Sequence, residues 1–299
     1  MYDIIIIGGG PAGISAGIYA VSRGKRVLLL EKQAVGGIIG RVSTVTHYSG
    51  IVEQETGASF AGRLKRQAEE AGVEIRYENV ESVYLKGAFK TVTTSQGIYE
   101  APKLIIAAGS TPRKLNIPGE EELAGKGMGL NAAKDGQAYA GKNMYVVGGA
   151  DGAVKEALYL AQFAKTLTII HFEDALGCIA EFKNKLAAMP NIKVRTGCRL
   201  GAVYGTDQVE RLELVSEADG SVETIEDPGC GIFVYAGTLP NTKMFGELGL
   251  ENGYIPVNAK METIVPGVYA AGDICVKQVR QAATAVADGA IAAINAAMN

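Results

Sequence analysis

The chain has 299 residues, 47% hydrophobic and 20% charged, and 29 Lys+Arg stand against 32 Asp+Glu for a net charge of -3. So high an apolar share without a low-complexity tract excludes a disordered chain, and the near-neutral balance gives no electrostatic footprint for nucleic acid. At about 100–200 residues per domain the length predicts two domains.

The apolar run Ile4 to Ile7 predicts a buried strand that starts at the N-terminus. No basic segment precedes it, so no secretory leader is fitted and a cytoplasmic location is expected. Gly8-Gly9-Gly10-Pro11-Ala12-Gly13 then reads as a tight turn, Ile14 to Ser22 as a helix, and Val27 to Leu30 as a second strand ending at Glu31. A helix is expected after Ser59, where Lys65 and Arg66 stand at i,i+4 spacing from Glu69 and Glu70. Strand patterns at Glu74 to Tyr77, Lys90 to Thr94 and Ile98 to Ala101 lead to Leu104-Ile105-Ile106-Ala107-Ala108-Gly109. Pro/Gly punctuation from Pro112 to Gly119 marks a crossing into a second domain. There the pattern recurs, with a strand at Met144 to Val147, the turn Gly148-Gly149-Ala150-Asp151-Gly152-Ala153, a helix at Val154 to Phe163 and a strand at Leu167 to Ile170. The stretches Val209 to Val215, Ser221 to Ile225 and Ile232 to Tyr235 predict a β-meander, and Gly237 to Asn241 a return crossing. Val268 to Ala271 is an apolar strand delivering Gly272-Asp273. The Ala-rich end from Ala282 is interrupted by Asp288, Gly289 and Asn295, which favours a packed helix over a membrane span.

Thirty-nine glycines and no tryptophan suit many strand-to-helix turns, and the class is α/β. The two βαβ units overlay at a constant offset, Gly8 onto Gly148, Gly13 onto Ala153 and Glu31 onto His171. In Gly8-x-Gly10-x-x-Gly13 the first glycine makes the turn, the second admits a pyrophosphate to the backbone, and the third lets helix and strand pack closely. Free N–H groups at the helix start then favour the anion, and Glu31 stands where a carboxylate accepts from a ribose. The four cysteines, Cys178, Cys198, Cys230 and Cys275, form no C-x-x-C pair, and with only His47 and His171 as imidazoles no metal site is expected.

Gly8 to Gly13, Gly36-Gly37, Ala107-Ala108-Gly109 and Gly272-Asp273 followed by Arg280-Gln281-Ala282 resemble, over essentially the whole chain, the thioredoxin-reductase branch of the FAD-containing disulfide oxidoreductases. The resemblance implies two Rossmann-like three-layer α/β domains, one inserted into the other. The FAD-binding domain is expected at residues 1–114 and 238–299, and a degenerate NAD(P)H-binding-like domain at 115–237. It further implies a homodimer holding FAD through Gly8, Gly10, Pro11, Ala12, Gly13, Glu31, Lys32, Gly36, Gly37, Ile38, Thr46, His47, Val80, Ala108, Gly109, Gly272, Asp273, Arg280, Gln281 and Ala282. Within that set Asp273 corresponds to a residue that bonds the ribityl or phosphate region, Arg280-Gln281-Ala282 to a segment beneath the flavin, and the loop Gly36 to Gly50 to one over the isoalloxazine. His47 stands where the family carries Asn, either as a satisfied loop histidine or as a titratable group at the flavin edge.

Two departures shape the functional expectation. Where the family places its C-x-x-C, this chain reads Asn131-Ala132-Ala133-Lys134-Asp135-Gly136, and neither Asn nor Lys can carry a dithiol relay. Where arginines clamp the 2′-phosphate of NADPH, it reads His171-Phe172-Glu173-Asp174-Ala175-Leu176-Gly177, with no Lys or Arg between Lys165 and Lys183. Carboxylates there repel a dianion, which argues against NADPH and leaves NADH open through Glu173. The leading expectation is an FAD oxidoreductase that exchanges electrons with a protein donor, ferredoxin or flavodoxin, and an unidentified acceptor. An NADH-dependent flavin or ferredoxin reductase and a non-catalytic FAD-binding redox sensor are the alternatives. Arg63, Lys65 and Arg66 are either an attractive face for an acidic donor or a solvated helix face, and His47 and Cys275 are the weak candidates for catalytic roles, Cys275 being also readable as core packing.

Overall fold

The computed structural model describes residues 1–298. The chain divides into two compact units, Met1–Thr111 with Leu239–Asn299, and Pro112–Thr238. The divisions fall at 111/112 and 238/239, against the expected 114/115 and 237/238.

The first unit opens with β1 (Ile4–Ile7), α1 (Pro11–Val21) and β2 (Val27–Glu31), followed by α2 (Gly57–Glu70) and β3 (Glu74–Tyr77). Next come β4 (Val80–Tyr84), β5 (Lys90–Thr94) and β6 (Ile98–Ala101), an antiparallel meander, then β7 (Lys103–Ile106). The chain leaves along β8 (Ser110–Pro112).

The second unit contains α3 (Ala132–Asp135), β9 (Asn143–Val147), α4 (Asp151–Leu160), β10 (Thr166–Ile170), α5 (Ala180–Ala187) and β11 (Ile192–Arg195). The strands β12 (Cys198–Tyr204), β13 (Arg211–Ser216) and β14 (Val222–Glu226) form its meander, and β15 (Gly231–Val234) follows. The chain returns along β16 (Thr238–Pro240), and β17 (Val268–Ala270) and α6 (Ala282–Met298) complete the first unit. No helix of the described residues is long and apolar enough to cross a membrane.

Each unit has three layers for the same physical reason. In the first parallel sheet, ordered β17-β7-β1-β2-β3, the strands β17, β7, β1 and β2 are apolar on both faces and so need covering on both, while the edge strand β3 is polar. Ile4, Ile6 and Leu29 pack with α1, α2 and α6, while Ile5, Ile7, Leu28 and Leu30 pack with Val80, Leu85 and Val92 of the meander side. In the second unit the sheet is β11-β10-β9-β15, with Met144 and Val146 facing α4 and α5, and Tyr145 and Val147 facing the meander core. The repeat holds in register: Ile7 pairs with Leu30, and Val147 pairs with Ile170.

The predicted meander of the second unit is corrected in one strand. The segment around Ile232 is not its third member; β15 runs parallel beside β9, and β12 takes the meander place. Gly231, Ile232 and Phe233 are all buried, as a parallel strand covered on both faces requires, Phe233 packing with the helices and Ile232 with the meander core, whereas β12 alternates between buried and exposed positions along its first half.

Candidate functional site

The turn after β1 stands against Glu31, Gly36, Gly37, Ala108 and Gly272 of the sequence-predicted residues. Gly8 has φ +106, and a Cβ on it would lie 2.3 Å from the Ala107 carbonyl oxygen, so only glycine lets β1 turn beside β7. A Cβ on Gly13 would lie 1.8 Å from the Gly8 carbonyl oxygen, which is the close helix-to-strand approach the third glycine permits. Gly10, by contrast, has no atom within 4 Å of its Cβ position, so the space over the start of α1 is open. Pro11 opens the helix, no side chain caps it, and its first turn holds no acidic residue. The free N–H groups and dipole of α1 are thereby available to an anion.

Around that opening the other groups are fixed by hydrogen bonds. Glu31 ends β2, and its carboxylate accepts from Gly9 N (2.7 Å) and Gln33 N (2.9 Å), which leaves lone pairs for ribose hydroxyls. Lys32 is exposed beside it. Gly36 N donates to the Gly9 carbonyl (2.8 Å) and leads into a 3-10 turn, Gly37–Arg41, that leaves Ile38 exposed. Val80 is buried with Ile7 and Leu30 in one cluster. The carbonyls of Ala108 and Gly109 accept from Asn241 Nδ2 (2.7 Å) and Asn241 N (3.0 Å).

The loop carrying Thr46 and His47 is closed at its neck by Gly57 N on the Val42 carbonyl (3.2 Å) and Val45 N on the Glu55 carbonyl (2.8 Å). Tyr48 packs edge-on against Phe60, with ring centroids 5.1 Å apart. Buried Glu55 accepts from Ser59 and Arg63 of α2, a lock that the sequence pattern did not reveal because Glu55 lies outside any periodic segment. Thr46 and His47 are themselves exposed, with Thr46 Oγ1 3.0 Å from His47 Nδ1.

Beyond β17 the partly buried Asp273 follows buried Gly272. Burial raises the Asp273 carboxyl above the usual Asp range, opposed by the cations Lys277 and Arg280. Arg280 lies over the Tyr254 ring at 4.1 Å and has a buried Nε without a partner, an orphan donor at the edge of the same region. Gln281 is exposed and Ala282 begins α6. Cys275 is buried, and burial pushes its thiol up to about 12, so the neutral thiol packs in the core rather than offering a thiolate at neutral pH.

The inserted turn repeats the backbone and changes the chemistry. Gly148 has φ +133 and a Cβ position 2.4 Å from the Tyr235 carbonyl oxygen, as Gly8 does toward Ala107. Ala150 has φ -84 and ψ 174 against -72 and -178 for Gly10, so the two differ by an exposed methyl group. The first turn of α4 carries Asp151, whose carboxylate accepts from Ile179 N (2.8 Å). His171 stands where Glu31 does, its ring against Gly149, its Nε2 3.1 Å from Glu173 Oε2 and its buried Nδ1 without a partner.

At the remaining sequence-flagged segment Asn131 caps α3, accepting from Lys134 N (2.9 Å), while Asp135 accepts from Asn131 N (2.8 Å). The four free cysteines are all buried. Of the basic residues on α2, Arg63 is engaged by Glu55 and Lys65 lies 3.7 Å from Glu69. Among the described residues no group of three or more His, Cys, Asp and Glu is placed to hold a metal ion.

Residues 2–289 match the family model described as pyridine nucleotide-disulphide oxidoreductase. The chain is 38% identical over 302 residues to a thioredoxin reductase of Peptoclostridium acidaminophilum, covering 99% of this chain and 96% of that one. Among solved structures it is similar to Lactococcus lactis thioredoxin reductase, with a TM-score of 0.94 and 33% identity over 99% of this chain and 98% of that chain. It is also similar to a ferredoxin-flavin thioredoxin reductase of Clostridium acetobutylicum, with a TM-score of 0.54 and 30% identity over 99% and 97%.

Proposed function

The chain belongs to the pyridine nucleotide-disulphide oxidoreductase family, and from that premise we propose that it passes electrons between a small protein donor, a reduced ferredoxin or flavodoxin, and an acceptor met directly at its FAD site. At the level of the family it is a thioredoxin reductase-like, FAD-dependent oxidoreductase, and family membership implies FAD and a pyridine nucleotide. The finer reading concerns what feeds and drains that cofactor.

The residues of the first turn fit FAD: an uncapped, acid-free helix start with open space at Gly10, a ribose-facing carboxylate at Glu31, and the partly buried Asp273 beside the orphan Nε of Arg280. When bound, the flavin supplies a group that takes one or two electrons. In this reading Gly8 to Gly13 receive the pyrophosphate, Glu31 the ribose, Asp273 the ribityl or phosphate side, and the Thr46-His47 loop covers the ring.

The observation that carries the proposal lies in the inserted unit. It offers neither a sulfur pair at Asn131-Lys134, where a capped turn stands, nor a cation at the end of β10, where Glu173 and Asp174 follow His171. A dithiol relay needs two sulfurs and a 2′-phosphate needs positive charge. A donor that delivers electrons straight to the flavin needs neither, and the Clostridium acetobutylicum relative is named for such a donor. The basic face of α2 does not contribute to this argument, since Arg63 and Lys65 are already paired. As in thioredoxin reductases, the working form is proposed to be a homodimer.

One observation favours a second reading. Glu173 presents a mostly exposed carboxylate at the strand end beside His171, a group able to accept from the free ribose hydroxyls of NADH. Anaerobic stopped-flow absorbance of the flavin, mixing the protein in parallel with NADH, NADPH and reduced ferredoxin, separates the two. Bleaching by ferredoxin alone is expected. Fast bleaching by NADH and none by ferredoxin overturns the proposal and makes the inserted turn a working nicotinamide site.

A further inference from the structure

The helix α6 is built of small apolar residues, yet Asp288 in its middle is buried and charged. Its partner is Lys277, also mostly buried, whose ammonium donates to Asp288 Oδ2. Two charges taken out of water are weak contributors to stability, because desolvation offsets most of their attraction. The pair therefore needs another account, and the geometry supplies one. The same Oδ2 accepts the backbone N–H of Gly272 at 3.0 Å. One carboxylate oxygen thus ties together the two ends of the loop 272–277, which carries Asp273.

The tie is referred directly to the start of α1. A Cβ on Gly289, the next residue of α6, would lie 2.0 Å from the Ala12 carbonyl oxygen, so α6 rests on the first turn of α1 at this point. Gly272 has φ +83, and a Cβ on it would lie 3.0 Å from the Ala12 Cβ. Asp288-Gly289 therefore fixes Gly272 against the same helix start over which Gly10 leaves open space. The charged groups facing Asp273 are Lys277 and Arg280 on its own loop and Asp288 from the packed helix.

We infer that Asp288 is a positioning residue for the cofactor: its carboxylate, neutralised by Lys277, holds the Gly272–Asp273 peptide at the start of α1 so that the Asp273 carboxylate is presented to bound FAD. This rests on the FAD reading above and deepens it. It makes a buried ion pair between a loop and a helix a determinant of flavin affinity and redox potential rather than of folding.

The test uses the full chain stripped of FAD. Asp288→Leu with Lys277→Met removes the acceptor and both charges, whereas Asp288→Asn with Lys277→Met keeps an acceptor for Gly272. FAD affinity is read by fluorescence titration, the midpoint potential by dye equilibration of the reloaded protein, and the Tm of the stripped chain separately. The Leu/Met chain is expected to keep its Tm while binding FAD about tenfold more weakly, the scale on which supporting partners act on ligand affinity at metal sites, and with a shifted potential. The Asn/Met chain is expected to recover both values. Should Leu/Met not fold, Asp288→Ser in the Lys277→Met background, too short to reach Gly272, is read in the same way. Wild-type affinity and potential in these acceptor-less chains overturn the inference. Failure of the wild-type chain to take up FAD overturns instead the reading on which it rests.

Discussion

Two glycines three residues apart in the first turn should respond to the same substitution in opposite ways. In Gly13→Ala the new methyl meets the Gly8 carbonyl oxygen at 1.8 Å, where a carbon and an oxygen rest at about 3.3–3.6 Å. Backbone must move by more than 1 Å (roughly the difference,), and α1 is already held at this point by α6, which lies against Ala12. Overpacking of this kind costs about 1–3 kcal/mol, and the gain of about 1 kcal/mol in helix propensity offsets only part of it. In Gly10→Ala nothing in the protein is struck, and φ -72 suits alanine. Loss of glycine at the helix N-cap, roughly 0.5–1 kcal/mol, is offset by the reduced entropy of the unfolded chain, about 0.4–1 kcal/mol. The methyl instead fills the space proposed for the pyrophosphate, and about 1–3 kcal/mol of crowding there corresponds to roughly a 5–150-fold loss of FAD affinity. Calorimetry of the FAD-free chain and flavin titration read the two effects apart: a lowered Tm for Gly13→Ala, and an unchanged Tm with weak FAD binding for Gly10→Ala. Wild-type FAD affinity in Gly10→Ala would show that this turn does not cradle the cofactor, and a wild-type Tm in Gly13→Ala would refute the packing argument.

Asp273 is expected to set function against stability. Its carboxyl pKa is raised by burial in the folded chain, so its contribution favours folding below the ordinary Asp range and is lost as pH rises through the folded value. Asp273→Asn should therefore raise the Tm of the FAD-free chain at neutral pH and not in strong acid, while weakening FAD; an equal gain at both pH values would contradict the assignment. Cys275, with its thiol pushed up to about 12, should resist thiol reagents in the native state near neutral pH and react after unfolding, and Cys275→Ala should leave flavin reduction by any donor unchanged. A rate that collapses in Cys275→Ala would return this thiol to the mechanism. Glu55→Gln leaves Arg63 without its counter-charge, at a cost of about 1–3 kcal/mol because Arg63 retains some solvent, and should open the loop between Val42 and Gly57 to proteolysis before the rest of the chain.

What the sequence made legible is what local pattern controls. Apolar runs, glycine turns and a constant offset placed both βαβ units, and the strand registers of Ile7 on Leu30 and Val147 on Ile170 agree with that overlay. The misassigned strand shows the limit: Ile232 and Phe233 form a short apolar run, and only pairing with β9, far away along the chain, distinguishes a strand of the parallel sheet from a meander strand. The first meander's β4, with only its first residue buried and the next two exposed, gave no alternating signal to follow. Asp288 was visible only as a charge that interrupts an Ala-rich helix. Its role depends on Lys277 and on the backbone of Gly272, and a backbone donor leaves no mark in a sequence.

The internal comparison separates what a βαβ turn needs in order to fold from what it needs in order to bind. Gly8 and Gly148 share positive φ and the same close approach to a neighbouring strand end, and Gly10 and Ala150 share extended backbone. The differences sit where a ligand would touch: an open glycine against an exposed methyl, no acid against Asp151 in the first helical turn, Glu31 against the His171–Glu173 pair. Since the backbone is preserved where the ligand-facing chemistry changes, the fold of the inserted unit carries no information about its cargo, and any activity assigned to that unit must be argued from His171, Glu173 and Asp151 themselves.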